Sequence, residues 1–189
     1  PGAYRMAWVG FAGPEPERRV EPLAWAGAET EYLRDITVSW DGDDPRGQGP
    51  VGTAIRTGET VVIHAVHTDP RFAPWREAAE QRGYASVAAI PLSVRGEVGG
   101  SLNVYAAEAD TFGEREMAVL EEMAADLAYG ITALRIRAER EAAEEARITS
   151  ETRRRELGER LQRALGGTIQ AIAVTIEKRD PYTAGHQQR

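Results

Sequence analysis

The rhythm of hydrophobic and polar positions divides this chain of 189 residues into two parts. From Tyr4 to Phe11 the chain is dense in aromatic and β-branched residues, which favour a strand. Gly13-Pro14-Glu15-Pro16-Glu17 reads as a turn, because proline fixes φ and removes a donor. Val20 to Ala26 completes a predicted hairpin. Ile36 to Trp40 alternates and suits a short strand or the start of a loop, and Asp41 to Gly49 has loop composition. Gly52 to Thr57 predicts a short helix closed by Gly58. Thr60 to Ala65 predicts a strand, His67-Thr68-Asp69-Pro70 a turn, and Trp75 to Arg82 a short helix stopped by Gly83. Val87 to Val94 and Gly99 to Ala106 form a second predicted hairpin across Arg95-Gly96-Glu97. This is an α+β pattern, a largely antiparallel sheet with short helices inserted late, followed by a long C-terminal helix.

From Phe112 the period becomes helical. Thr111 and Glu114 have capping-box spacing. Leu120, Met123, Leu127, Ile131 and Leu134 follow at steps of three or four. Beyond Leu134 the chain is rich in Arg, Glu and Ala, strong helix formers whose opposite charges at i,i+4 add a few tenths of a kcal/mol each. A helix from Glu114 to about Arg163 would span roughly 75 Å, more than a small domain can cover. Leu157, Leu161, Leu165, Ile169, Ile172 and Ile176 restore an apolar face, with Gly166-Gly167 a candidate kink. A partial seam for pairing two copies runs through Leu120, Leu127, Ile131 and Leu134, then Ile148, Leu157, Leu161 and Leu165. Glu141, Glu145 and Thr152 interrupt it, which weakens a coiled coil. A solvated single helix is the plainer alternative.

Composition removes several chemistries. There is no cysteine, so a disulfide framework, an iron–sulfur cluster, a thiolate zinc site and a cysteine nucleophile are excluded. The net charge of −7 argues against a dedicated nucleic-acid binder. Arg153-Arg154-Arg155 is flanked by Glu151, Glu156 and Glu159 and reads as a solvated helix face. No apolar run approaches the ~20 residues of a membrane span, so no membrane partner and a cytoplasmic location are expected. His64 and His67 form a weak metal or haem pair; polar residues at a strand end are the simpler reading.

Several short motifs occur together: Gly49-Pro50-Val51-Gly52-Thr53-Ala54-Ile55-Arg56-Thr57-Gly58, Asp69-Pro70-Arg71-Phe72-Ala73-Pro74-Trp75, Gly83-Tyr84-Ala85-Ser86, Ile90-Pro91-Leu92, Gly99-Gly100-Ser101-Leu102 and Phe112-Gly113-Glu114-Arg115-Glu116. In this order, from about Tyr4 to Leu134, they resemble a bacterial GAF sensor domain. The resemblance implies an antiparallel sheet with helices on its faces and a small-molecule site between the sheet and the inserted loops and helices, its ligand unknown. It also implies a helix before the first strand, which suggests truncation ahead of Pro1. Trp8, Trp25, Trp40, Trp75, Tyr84 and Tyr105 are the candidate ligand-binding residues, with filling the core as the alternative. The absence of cysteine rules out a bilin attached through one.

Ile176 to Arg189 ends in Arg-Asp-Pro-Tyr-Thr-Ala-Gly-His-Gln-Gln-Arg, which resembles the start of an HD-GYP domain, a metal-dependent cyclic di-GMP phosphodiesterase. The resemblance places His186 as a ligand of a divalent metal centre (iron or manganese) in a complete parent. Tyr182 stands where some members carry a third-metal Glu. One histidine cannot build a two-metal site, so the chain by itself is expected to have no catalytic residues. The expected organisation is a sensor over residues 1–134, a helical signalling linker over 135–165 and the start of a truncated enzyme domain over 166–189. The expected partner is a second copy through the long helix. A coupling of about 1–3 kcal/mol along that helix would change output several-fold. The competing readings are the sensor and dimerisation region of a histidine kinase, with His186 as phosphoacceptor, and a stand-alone ligand-binding protein.

Overall fold

The computed structural model describes residues 4–27 and 32–179. The chain divides into two compact units, residues 1–135 and 136–189. The first is built on a five-stranded antiparallel sheet of order β2-β1-β5-β4-β3. The strands are β1 (Tyr4–Ala12), β2 (Val20–Gly27), β3 (Val61–Ile63), β4 (Ser86–Val94) and β5 (Glu97–Ala106). β1 and β5 pair in the centre, with Trp8 opposite Asn103 and Met6 opposite Tyr105. The β4–β5 hairpin turns on Arg95 and Gly96, both at positive φ, with Val94 opposite Glu97. Such a two-residue turn matches the natural strand twist and fixes the register.

The sheet has two apolar faces because residues alternate along each strand. On the inner face Met6, Trp8, Ile63, Val87, Ala89 and Tyr105 meet the short helices α1 (Tyr32–Asp35), α2 (Pro50–Thr57) and α3 (Arg76–Glu80). On the outer face Ala88, Ile90, Leu92, Leu102 and Val104 meet the first turns of α4 (Glu114–Arg179), through Leu120, Ala124 and Ala128.

The tripeptide Asp-Pro-Arg shapes two loops over the inner face. Asp44 and Asp69 each accept from the backbone N–H two residues on, opening 3-10 helices of one turn at Pro45–Gly47 and two turns at Pro70–Trp75. The same carboxylates bind Arg46 and Arg71 side chains at 2.8 and 2.6 Å. These arginines hold both carboxyl groups below the usual range, chiefly through side-chain hydrogen bonds. The second of these helices drives Phe72 and Trp75 into the core. Arg56 donates to the carbonyls of Trp40 and Gly47 and ties the long loop down on α2.

The structure corrects several expectations. Of the two readings of Ile36–Trp40, the loop holds and the strand does not: the segment keeps one bridge, Ser39 to Arg19. β3 is shorter than Thr60–Ala65. Thr111 does not cap α4: its hydroxyl donates to the Glu108 carbonyl, and the first helical N–H, Met117, bonds to Gly113. Helix α4 continues to Arg179 without a break at Gly166-Gly167, because exposed glycines weaken a helix without forbidding it. Leu120 is not a free seam residue but is buried in the outer-face core. Leu127 and Leu134 lie on the solvent side, and Ile131 is half-buried. The second unit is the remainder of α4, exposed at every position given from Arg137 to Thr175. Arg137–Glu141, Arg147–Glu144, Arg147–Glu151 and Arg155–Glu159 ion pairs decorate it. No helix among the described residues is long and apolar enough to cross a membrane.

Gly52 gives a test of the α2–loop contact. A Cβ there would stand 2.3 Å from the Gly47 carbonyl oxygen and 2.5 Å from that of Ser39. Alanine's helix preference over glycine, about 1 kcal/mol, is outweighed by a backbone clash that cannot relax cheaply. Gly52→Ala is expected to destabilise by about 2–3 kcal/mol, read as a lower urea midpoint.

Candidate functional site

The inner face gathers four of the predicted aromatic residues and leaves two outside. Trp8, Trp75, Tyr84 and Tyr105 are all buried in one cluster. Trp40 lies at its rim, its indole N–H donating to the Gly13 carbonyl at 3.0 Å and its ring under the Arg18 guanidinium. Trp25 is on the edge strand β2, 46% exposed and outside that cluster. Proximity along a hairpin does not guarantee burial: β2 has a neighbour on one side only, and all its residues after Val20 are exposed.

Two aromatic members had no sequence signal of their own. Tyr32 comes from α1, a single turn too short to show a helical period, and is wholly buried. Phe72 was visible only as part of its Asp-Pro-Arg-Phe motif. Tyr32 meets Tyr84 and Tyr105 edge-on at 5.3 and 5.6 Å. Tyr84 and Tyr105 are tilted at 5.1 Å, and Phe72 reaches Trp75 at 5.5 Å. Aromatic quadrupoles favour these edge and tilted contacts over face-to-face stacking.

The rings fill the chamber. The remaining hole beside Phe72, Trp75 and Tyr105 is about 10 Å³, room for no more than a single water. A larger groove of about 230 Å³ shares Ile36 and Val38 with it and is also lined by Trp8, Val20 and Leu33.

Polar atoms accumulate where an apolar core has no use for them. The Tyr105 hydroxyl is flanked by the Trp8 indole and the Tyr32 hydroxyl. Yet neither Trp8 Nε1 nor Tyr32 Oη completes a hydrogen bond. On the same strand as Tyr105, Ser101 Oγ and Asn103 Oδ1 are also buried and unpartnered. Each such group costs about 1–3 kcal/mol of desolvation. Asn103 is held by its amide, which donates to the carbonyls of Trp8 and Ser101 at 3.4 and 3.3 Å. Tyr84 donates to Met6 Sδ at 3.7 Å. Burial raises the Tyr32 hydroxyl far above its ordinary value and pushes Tyr105 up to about 12.

The histidines do not form a pair. His64 Nδ1 lies 3.3 Å from Asp110 and His67 Nδ1 3.1 Å from Glu80, each on its own carboxylate. Among the described residues no group of three His, Asp or Glu could hold a metal. His186 lies outside the described residues.

A second groove, about 480 Å³, runs on the outer face between β4 and α4. Ile90, Pro91, Ala124, Ala128 and Tyr129 line it, and the Thr60 hydroxyl donates to Glu121 across one end at 2.8 Å.

The buried tyrosines make stability fall in alkali. Their folded pKa values lie above the ordinary 10, so the unfolded chain loses these protons first. Their contribution is fully present below pH 10. It declines above that by up to about 1.4 kcal/mol per pH unit for each tyrosine. Urea midpoints should hold up to about pH 10 and fall from there to pH 11.5, less steeply in Tyr32→Phe and Tyr105→Phe. Parallel curves would contradict the burial of these hydroxyls.

A family model described as the GAF domain matches residues 2–132. No curated protein matches the chain at a significant level. Among solved structures, the GAF domain region of a Geobacter sulfurreducens PCA protein is similar, with TM-score 0.58 and 18% identity over 70% of this chain and 83% of that one. GAF3 of Slr1393 from Synechocystis sp. PCC6803, in its photoproduct state, gives TM-score 0.56 and 15% identity over 71% and 86%. The GAF domain of an Acinetobacter phosphoenolpyruvate-protein phosphotransferase gives TM-score 0.52 and 20% identity over 71% and 74%. At these identities the likeness is one of fold.

Proposed function

The chain belongs to the GAF domain family through residues 2–132, and on that premise we propose that it is the sensory and dimerising input module of a cyclic di-GMP phosphodiesterase of the HD-GYP type. The domain takes a small molecule on the inner face of its sheet. Helix α4 passes the resulting change to an enzyme domain that begins near residue 166. The segment by itself is not catalytic. The complete parent holds a divalent metal, iron or manganese, with His186 among its ligands.

One observation carries the transmitter part of this reading. The helix that covers the sheet's outer face continues for dozens of residues beyond the domain, to Arg179. Along that extension Ile148, Leu157, Leu161, Leu165, Ile169 and Ile172 are each at least half exposed. Leucines and isoleucines at steps of three and four are expected to be buried by a partner helix. A second copy of the same helix supplies that partner, with polar interruptions at Glu141, Glu145 and Thr152 keeping the seam switchable. The enzyme part rests on the resemblance of Arg179-Asp180-Pro181-Tyr182-Thr183-Ala184-Gly185-His186 to the start of an HD-GYP domain.

Light scattering at micromolar concentration should return twice the mass of one chain. The triple substitution Leu157→Ser, Leu161→Ser, Leu165→Ser should return one chain, with the domain's near-ultraviolet spectrum unchanged. A wild-type monomer would sink the dimer. The 189-residue protein with manganese or iron should leave cyclic di-GMP intact, whereas a parent continuing through His-Asp and Gly-Tyr-Pro motifs should hydrolyse it. Native mass spectrometry and a compound screen by thermal shift test for the sensed molecule. Absence of any binder contradicts the sensory role.

A further inference from the structure

We infer that Tyr32 is an internal stopper. The ligand of the inner chamber is a small, electron-rich aromatic ring carrying an oxygen acceptor, and it binds by taking the place of the Tyr32 side chain. This rests on the reading of the domain as a small-molecule sensor and deepens it.

The chamber is built around a ring and already contains one. Tyr32 is completely buried and makes T-shaped contacts with both Tyr84 and Tyr105. Its open face is covered by the Arg82 guanidinium, 5.3 Å from the ring centre, and a cation there favours an electron-rich ring. Trp8 Nε1 is a donor only, it is buried, and the neighbouring Tyr105 hydroxyl closes no full hydrogen bond with it. The Tyr32 hydroxyl faces the same Tyr105 hydroxyl that flanks Trp8, but at a geometry short of a full hydrogen bond. The native occupant therefore has the right shape and leaves the polar end unsatisfied. A free ring, not tethered to a backbone, can move its oxygen into that gap.

The geometry also gives the way in. Tyr32 stands on α1, one turn of helix held by Leu33 in the core and by Asp35 on Arg82 at 2.8 Å. The 230 Å³ groove is lined both by Trp8 and by Leu33, Ile36 and Val38, the chain that follows Tyr32. Outward movement of this wall joins groove and chamber into one space. The apparent affinity is then reduced by the small fraction of molecules with Tyr32 withdrawn.

The probes are p-cresol, which matches the tyrosine side chain, and toluene, which lacks only the oxygen. Calorimetry on the 189-residue protein should show saturable p-cresol binding at least tenfold tighter than toluene. Hydrogen exchange over residues 32–36 should quicken at saturation. Tyr32→Ala should tighten p-cresol binding at least tenfold by removing the stopper. Trp8→Phe should erase the preference over toluene. Equal binding of the two probes, or p-cresol binding with residues 32–36 as protected as before, overturns the inference. A screened compound that binds while 32–36 stay protected overturns it too and leaves the sensory reading standing. Finding no binder of any kind overturns both.

Discussion

A sheet with two apolar faces must be covered on both, and the rest of this molecule follows from how each face is covered. The inner face takes short helices and loops, assembled piecewise and pinned by Asp69–Arg71, Asp44–Arg46 and Arg56. The outer face takes the first turns of α4. Ala124 and Ala128 let that helix come close, and Leu120 and Phe112 anchor it against Leu102 and Val104. The helix is therefore part of the domain's core before it is anything else. The two covers are separated only by the sheet whose strands both faces share.

The inner face departs from ordinary core design. Rings pack at 5.1 to 5.6 Å in edge and tilted contacts, which is stabilising. Trp8, Tyr32, Ser101 and Asn103 meanwhile bury polar atoms without partners. A core selected for stability alone would carry Phe, Ala or Val at such positions. Retained polar tips in a closed aromatic chamber fit a site whose polar contacts are completed by something that arrives.

Much of the fold was legible because its turns carry their own chemistry. Arg95-Gly96 fixed one hairpin, Gly58 ended α2 in a left-handed conformation, and strand alternation marked the core faces. The long helix was legible from its period and from the absence of proline. Other features had no local signal. A single turn such as α1 has no period, so Tyr32 could not be placed. Trp25 looked equivalent to Trp8, its neighbour across the hairpin, but an edge strand buries little. The leucine stripe of α4 suggested one seam, whereas the structure splits it. Leu120 joins Ala124 and Ala128 toward the sheet, and Met123, Leu127 and Leu134 face solvent. The small alanines were invisible to a count of large apolar residues, and they are what lets the helix sit on the sheet.

Residues before 136 form one compact unit with its own core, and on the proposed reading the helix beyond is covered by a second copy. Circular dichroism across a dilution series from hundreds of micromolar to tens of nanomolar separates the two. The near-ultraviolet signal of the aromatic chamber should stay constant, while ellipticity at 222 nm falls as the extension of α4 loses its partner. Ellipticity that is independent of concentration, or chamber and helix signals lost together, would contradict the account.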